Sequence, residues 1–196
     1  CRIGICTIDG KYLGDFGEFG DGDGAFVWPT ALAFDQSDRL YLTDEYNHRV
    51  TIFDTNGSFV SKWGTYGTGD GQLNGPAGIA IGKDNEIFVS DHLNNRIVCF
   101  SPDGDYIKKW GQHGNASVGL DLPWGITASK EYIYVADWRN ERIQQFTYNG
   151  EFVASFGETG DKPGQFYRPS SVAVDTDRYI YVADWGNEPV QILDPD

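Results

Sequence analysis

The sequence predicts an all-β protein, a propeller of four-stranded antiparallel blades. Three observations lead there. One phrase occurs four times, as "LYLTDEYNHRVTIF", "IFVSDHLNNRIVCF", "IYVADWRNERIQQF" and "IYVADWGNEPVQIL", and its aspartates Asp44, Asp91, Asp137 and Asp184 are 47, 46 and 47 residues apart. Two further registers keep the same period: the aromatic-Gly pairs at Phe16, Trp63, Trp110 and Phe156, and the prolines Pro29, Pro76, Pro123 and Pro169. The third observation is compositional. With 25 Gly, 12 Phe, 11 Tyr and 6 Trp, the chain is rich in turn formers and strand formers, and no segment has helical periodicity.

Each unit opens after its proline with "TALAF", "AGIAI", "WGITA" or "SSVAV". Large side chains (Leu32/Phe34, Ile79/Ile81, Val172/Val174) alternate there with small ones (Ala31/Ala33, Gly78/Ala80, Ser171/Ala173), which marks a strand with one bulky and one closely packed face. The second strand is "LYLT" or "IYVA" and the third "RVTIF", "RIVCF" or "RIQQF". A turn at Asn56-Gly57, Asp103-Gly104 or Asn149-Gly150 leads into the fourth, "SFVSKW", "DYIKKW" or "EFVASF". Four strands in about 40–50 residues, with no helix, is the pattern of a propeller blade. Each blade's face is then covered by its neighbour, so Ile79, Ile81, Phe88, Val89, Ile97 and Phe100 should be buried. Trp63 and Trp110 share their motif position with Phe16 and Phe156, so any large ring should serve there. Leucine-rich and hexapeptide solenoids fit less well, because their units are shorter.

Three phrases together resemble the NHL repeat over practically the whole chain: Pro-x-Gly-Ile-Ala-Ile, Ile-Tyr-Val-Ala-Asp-x-x-Asn-x-Arg-Ile-x-x-Phe and Gly-x-Phe-x-x-x-Phe-Gly. The resemblance implies a β-propeller, in this family most often six-bladed. About four NHL-type repeats are present: a partial repeat 1–28, repeats 29–75, 76–122 and 123–168, and a partial repeat 169–196. The first partial repeat supplies third and fourth strands, and the last supplies a first, second and third. The chain is therefore expected to be an arc of a longer ring.

Charge narrows the function. With 29 acids against 15 bases the net charge is −14, a field that repels phosphate backbones and anionic surfaces, so no nucleic acid is expected as partner. No apolar run is long enough to cross a bilayer, so no membrane insertion is expected either. Cys1, Cys6 and Cys99 are odd in number and lack metal-ligand spacing; Cys6 stands where other copies have Phe, which suggests a buried thiol. The histidines His48, His92 and His113 occupy unrelated motif positions, which argues against zinc. Asp21 and Asp23 lie in a Gly-rich blade connector that lacks the ligand ladder of a calcium loop. Nucleophile-elbow and phosphate-loop motifs are absent. No catalytic residue, metal or cofactor is predicted.

The Asp-x-x-Asn-x-Arg phrase looks catalytic but recurs in every blade, and a turn accounts for it, with Asp accepting backbone N–H groups, Asn closing it in the left-handed conformation and Arg pairing with a turn Asp of the same or the neighbouring blade. In the last copy Pro189 replaces the Arg, which removes a strand donor and the cation. Ligand contacts are expected where the loops vary, on the face shared by the second-to-third and blade-to-blade loops. The candidates are Trp28, Glu45, Tyr46, His92, Trp124, Trp138, Arg139, Tyr167, Arg168 and Trp185. Large aromatics beside a few charges suit a protein, a peptide or a carbohydrate, so a non-catalytic binding or scaffolding role is the leading expectation. Two alternatives follow from the resemblance. One is a metal-dependent lyase or lactonase; in the amidating lyases the metal histidines lie just after the repeat's proline, where this chain has Thr30, Ala77, Trp124 and Ser170. The other is an RNA-binding NHL domain, whose loop face is basic where this chain is acidic.

Overall fold

A computed structural model describes residues 1–194; residues 195 and 196, the end of the last partial repeat, lie outside the described residues. Three four-stranded antiparallel sheets form the middle of the chain. They comprise Pro29–Phe34, Leu40–Asp44, Arg49–Phe53 and Phe59–Trp63; then Pro76–Ile81, Ile87–Asp91, Arg96–Phe100 and Tyr106–Trp110; then Pro123–Ala128, Tyr132–Asp137, Arg142–Thr147 and Phe152–Phe156. A two-stranded sheet, Ile3–Cys6 with Tyr12–Phe16, precedes them, and a three-stranded sheet, Pro169–Val174, Ile180–Asp184 and Val190–Leu193, follows. Within each sheet the strands lie in sequence order, and the first strands of successive blades pack side by side as the inner wall. Short 3₁₀ turns at His92–Asn94 and Trp138–Asn140 interrupt the β-structure. No helix among the described residues is long and apolar enough to cross a membrane.

The small residues of the inner strands are set by blade-to-blade approach. A Cβ on Gly78 would lie 2.4 Å from the Trp124 carbonyl oxygen, and one on Gly125 would lie 2.6 Å from Ser171 Cα. At the seam before these, between the first and second full blades, Thr43 Oγ1 donates to the Ala77 carbonyl at 2.9 Å and Thr30 Oγ1 to that of Pro76 at 3.1 Å. The large residues face the clusters between blades: Phe88, Val89 and Ile97 are wholly buried, Ile79 and Phe100 nearly so, and Ile81 half so. Each such side chain stabilises the fold by about 1.5–3 kcal/mol relative to exposure.

The aromatic-Gly aromatics close the outer seams. A Cβ on Gly57, Gly104 or Gly150 would strike the ring of Phe16, Trp63 or Trp110, the aromatic of the preceding blade. Trp63 lies 4.2 Å from the Phe100 ring and Trp110 lies 5.9 Å from that of Phe146. Both indole N–H groups are buried without a partner among the described residues, so the rings act as apolar lids, and Phe can replace Trp in other copies.

Cys6 is exposed, not buried, because its two-stranded sheet has no inner strands beside it to cover the position. Cys99 is buried instead, and burial pushes its thiol up to about 12. At Pro189 the strand donor and the cation are both replaced: the third strand of the last blade begins at Val190, and Asp184 Oδ2 accepts Asn187 Nδ2 at 2.8 Å and Gln191 Nε2 at 3.4 Å, where Asp91 and Asp137 accept an Arg.

Candidate functional site

The recurring Asp-x-x-Asn-x-Arg phrase is a clamp on the blade connector. Asp91 Oδ1 accepts the Asn74 N–H at 2.6 Å, while Oδ2 accepts Asn94 Nδ2 at 2.8 Å and Arg96 Nε at 2.6 Å. The Arg96 Nη atoms donate to the carbonyls of Thr68, Gly69 and Gln72, at 2.6, 3.2 and 2.8 Å. Asp137, Asn140 and Arg142 repeat the arrangement with the carbonyls of Asn115, Ala116 and Gly119. The Arg thus pairs with the Asp of its own blade. Arg49 reaches the carbonyls of Asp21, Gly22 and Ala25, but its Nε has no partner. A guanidinium therefore takes up three carbonyl oxygens of each of these connectors. Asp23 is paired with Lys62 Nζ at 2.9 Å.

The left-handed residue of the turn is not the Asn but the one after it. His48, Asn95, Glu141 and Glu188 have φ of 53, 55, 54 and 71°. This conformation aims the first three side chains at the next connector. His48 Nδ1 accepts the Gly75 N–H at 3.0 Å, Asn95 Oδ1 accepts that of Leu122 at 2.8 Å, and Glu141 Oε2 accepts that of Arg168. The sequence reading missed this latch, whose signal is a constant separation of 27 residues between three unlike acceptors and their donors.

The predicted ligand residues divide into two groups. From the second full blade to the last the rings form a row: His92 to Trp124 at 4.6 Å, and Trp124 to Trp138 at 6.3 Å. The Arg168 Cζ then lies 5.0 Å from the Trp138 ring, 5.5 Å from Tyr167 and 5.7 Å from Trp185, with Arg139 5.9 Å from Trp138. Trp185 and Tyr167 are exposed by 63% and 45%, while Trp124 and Trp138 are half-buried. Trp28 and Tyr46 are well exposed, but among the described residues no ring contact joins them to the row. Glu45 is half-buried beside Gly75, and burial raises its carboxyl pKa.

His92 does not belong on the contact surface. It is 5% exposed, with Nδ1 3.3 Å from the Pro123 carbonyl oxygen, and burial lowers its pKa. It supports Trp124 from behind. Arg168 is the opposite case: among the described residues its guanidinium has no ion pair, and its backbone is held at φ 62° between the Glu141 latch and a Trp185 N–H bond. Among the described residues no three His, Cys, Asp or Glu side chains gather as metal ligands.

Comparison with known proteins bears on the fold. Residues 32–111 match the family described as a 6-bladed beta-propeller, and residues 123–141 and 169–194 match the LVIVD repeat. No curated protein matches. Among solved structures, virginiamycin B lyase from Staphylococcus aureus superposes with a TM-score of 0.70 at 19% identity, over 98% of this chain and 62% of that one. A streptogramin B lyase gives 0.71 at 17%, over 100% and 63%. Hydrazine synthase of Kuenenia stuttgartiensis gives 0.60 at 18%, over 89% and 53%. The chain spans less than two thirds of the length of these structures, and at such identities the likeness shows the fold alone. Repeat spacing, sheet order and these matches agree on a β-propeller, and the family matching its first two full blades is described as six-bladed.

Proposed function

We propose that this chain is part of a non-catalytic binding propeller of the NHL type, which holds a protein, peptide or carbohydrate ligand on its aromatic loop face. The NHL character rests on the Asp-x-x-Asn-x-Arg clamp and its period. The binding role rests on one observation: Trp138, Tyr167 and Trp185 surround the Arg168 guanidinium, whose N–H donors have no protein acceptor among the described residues. Rigid rings give contact area at low entropic cost, and an Arg stacked on them is preorganised to donate to a ligand. Such Trp and Arg clusters dominate interface energies. Trp124→Ala with Trp138→Ala should weaken capture of peptides or glycans from an array by tenfold or more, at about 1–2 kcal/mol per ring. Unchanged binding to every partner recovered would overturn the reading.

A second reading is suggested by the streptogramin lyases among the similar structures. A lyase-like enzyme would need its acid, base or metal ligands near the inner ends of the first strands. Thr30, Ala77, Trp124 and Ser170 occupy the positions after the prolines, so the ligands would come from other blades. Stoichiometric zinc or calcium in the complete protein, found by elemental analysis, would favour this reading over the first.

A further inference from the structure

The mouth opposite the aromatic loop face holds a cleft of about 470 Å³. It spans the loops that join first to second strands in the last three blades. These loops run Gly82–Glu86 and Asp175–Tyr179 on either side, but only Ser129–Glu131 in between. The repeat arithmetic locates the shortening. The one interval of 46 falls between Asp91 and Asp137 in one register, between Trp110 and Phe156 in another and between Pro123 and Pro169 in the third. These overlap only from Pro123 to Asp137, so the third blade has lost a residue in this rim. The cleft opens over that shortened loop.

The walls are aromatic. Tyr132, Tyr134 and Tyr148 line the cleft, above a floor to which Ile81, Ala128 and Val174 contribute. Tyr148 is fixed: its hydroxyl donates to the Ser129 carbonyl at 2.6 Å and its ring stands edge-on to Phe88 at 5.6 Å. It uses space left by the second blade, where Gly82 replaces the Asp35 and Asp175 of other loops. A Cβ on Gly82 would lie 2.9 Å from Tyr148 Cε1.

The rim is cationic, against the charge of the chain. Lys83, Lys130 and Arg178 line the cleft, and among the described residues none of them forms an ion pair. Lys83 Nζ lies 5.0 Å from the Tyr148 ring. Two carboxylates also line the cleft, Asp175 and Glu131. Asp175 is already committed, accepting the N–H groups of Asp177 and Tyr179 at 2.9 Å each and the Tyr181 hydroxyl at 3.0 Å. Three free cations to two carboxylates reverses the ratio of a chain with 15 bases and 29 acids. Unpaired cations around an apolar, aromatic hollow match a small molecule with an aromatic body and one anionic group.

We propose that this cleft is a second binding site, for a small aromatic carboxylate. The ring lies among Tyr132, Tyr134 and Tyr148, and the carboxylate accepts from Lys130 and Arg178. The site is independent of the aromatic loop face.

Calorimetric titration of the chain with 2-naphthoate, and with its uncharged amide, tests the assignment. Saturable binding of the acid is expected, about tenfold tighter than the amide. Lys130→Ala with Arg178→Asn should weaken the acid about tenfold and leave the amide unchanged. Asn suits the left-handed φ of 72° at position 178, and both side chains are exposed, so the fold is retained. Trp138→Ala, on the other face, should change nothing. Absence of saturation, equal affinity for acid and amide, or loss of binding in Trp138→Ala would each overturn the proposal. None of these results decides whether the loop face binds its own ligand.

Discussion

His48, Asn95 and Glu141 have nothing in common as side chains, yet each accepts one backbone N–H of the following connector. What matters at this position is an acceptor on a residue that can take the left-handed conformation. His48 adds a condition of its own. Its Nδ1 accepts a hydrogen bond from the Gly75 N–H, so the imidazole must be neutral. Burial lowers its pKa from the ordinary 6.5, with Asp44 and Asp91 opposing the shift. For a histidine whose pKa is lower in the folded state, the contribution to stability is complete above the unfolded value. It is lost as pH falls from about 6.5 toward the folded value. The chain should therefore lose stability over that window, because the unfolded chain takes up a proton that the neutral imidazole at this seam does not. His48→Asn, which copies the second blade, should remove that part of the pH dependence. Denaturant midpoints at pH 7.5 and 5.5 for both proteins would check it. An equal drop in both would show that His48 is not the group responsible.

At the scale of elements, the lids formed by Phe16, Trp63 and Trp110 over the next blade's turn glycine join neighbouring sheets. Gly104 is at φ 93° with Trp63 Cδ1 2.3 Å from where its Cβ would be, so turn conformation and lid are fitted to each other. Trp63→Ala should cost about 3 kcal/mol, the low end for an aromatic deletion because the ring is half-buried. Trp63→Phe should cost under about 1 kcal/mol, since the indole N–H has no partner to lose. Chemical unfolding would measure both, and a loss under about 1 kcal/mol for the Ala variant would place the ring at the surface. These lids were legible in the sequence because aromatic and glycine return in register, as do the Pro-led strands. Other features were not. Cys6 takes its strand position from the repeat but its exposure from the strands beside it, which a motif does not encode. His92 stands at a variable loop position, and only its contact with Trp124 and Pro123 shows that it faces inward. The latch escaped notice because unlike residues do one backbone-directed job there. The cleft escaped because a single missing residue reads as noise in a period of 46 or 47.

Across the whole molecule, protection should fall from the middle blades outward. The second and third strands of the first two full blades are buried at every residue, and those of the third full blade nearly so. The last blade's third strand alternates exposed and half-buried positions, with Val190 and Ile192 exposed by 65% and 60%. In the two-stranded sheet Tyr12 and Leu13 are exposed by 60% and 59%. Strands with one uncovered face open more readily than strands sealed on both sides. The last sheet has a further weakness, since Pro189 contributes no ladder N–H and Glu188 has no latch donor among the described residues. Hydrogen exchange on the 196-residue chain should therefore be slowest from Pro76 to Gly157. It should be faster in Ile3–Phe16 and fastest in Val190–Leu193. Uniformly slow exchange from Arg2 to Leu193 would mean that the terminal sheets cover each other, and that the four blade positions close into a ring rather than standing as an arc.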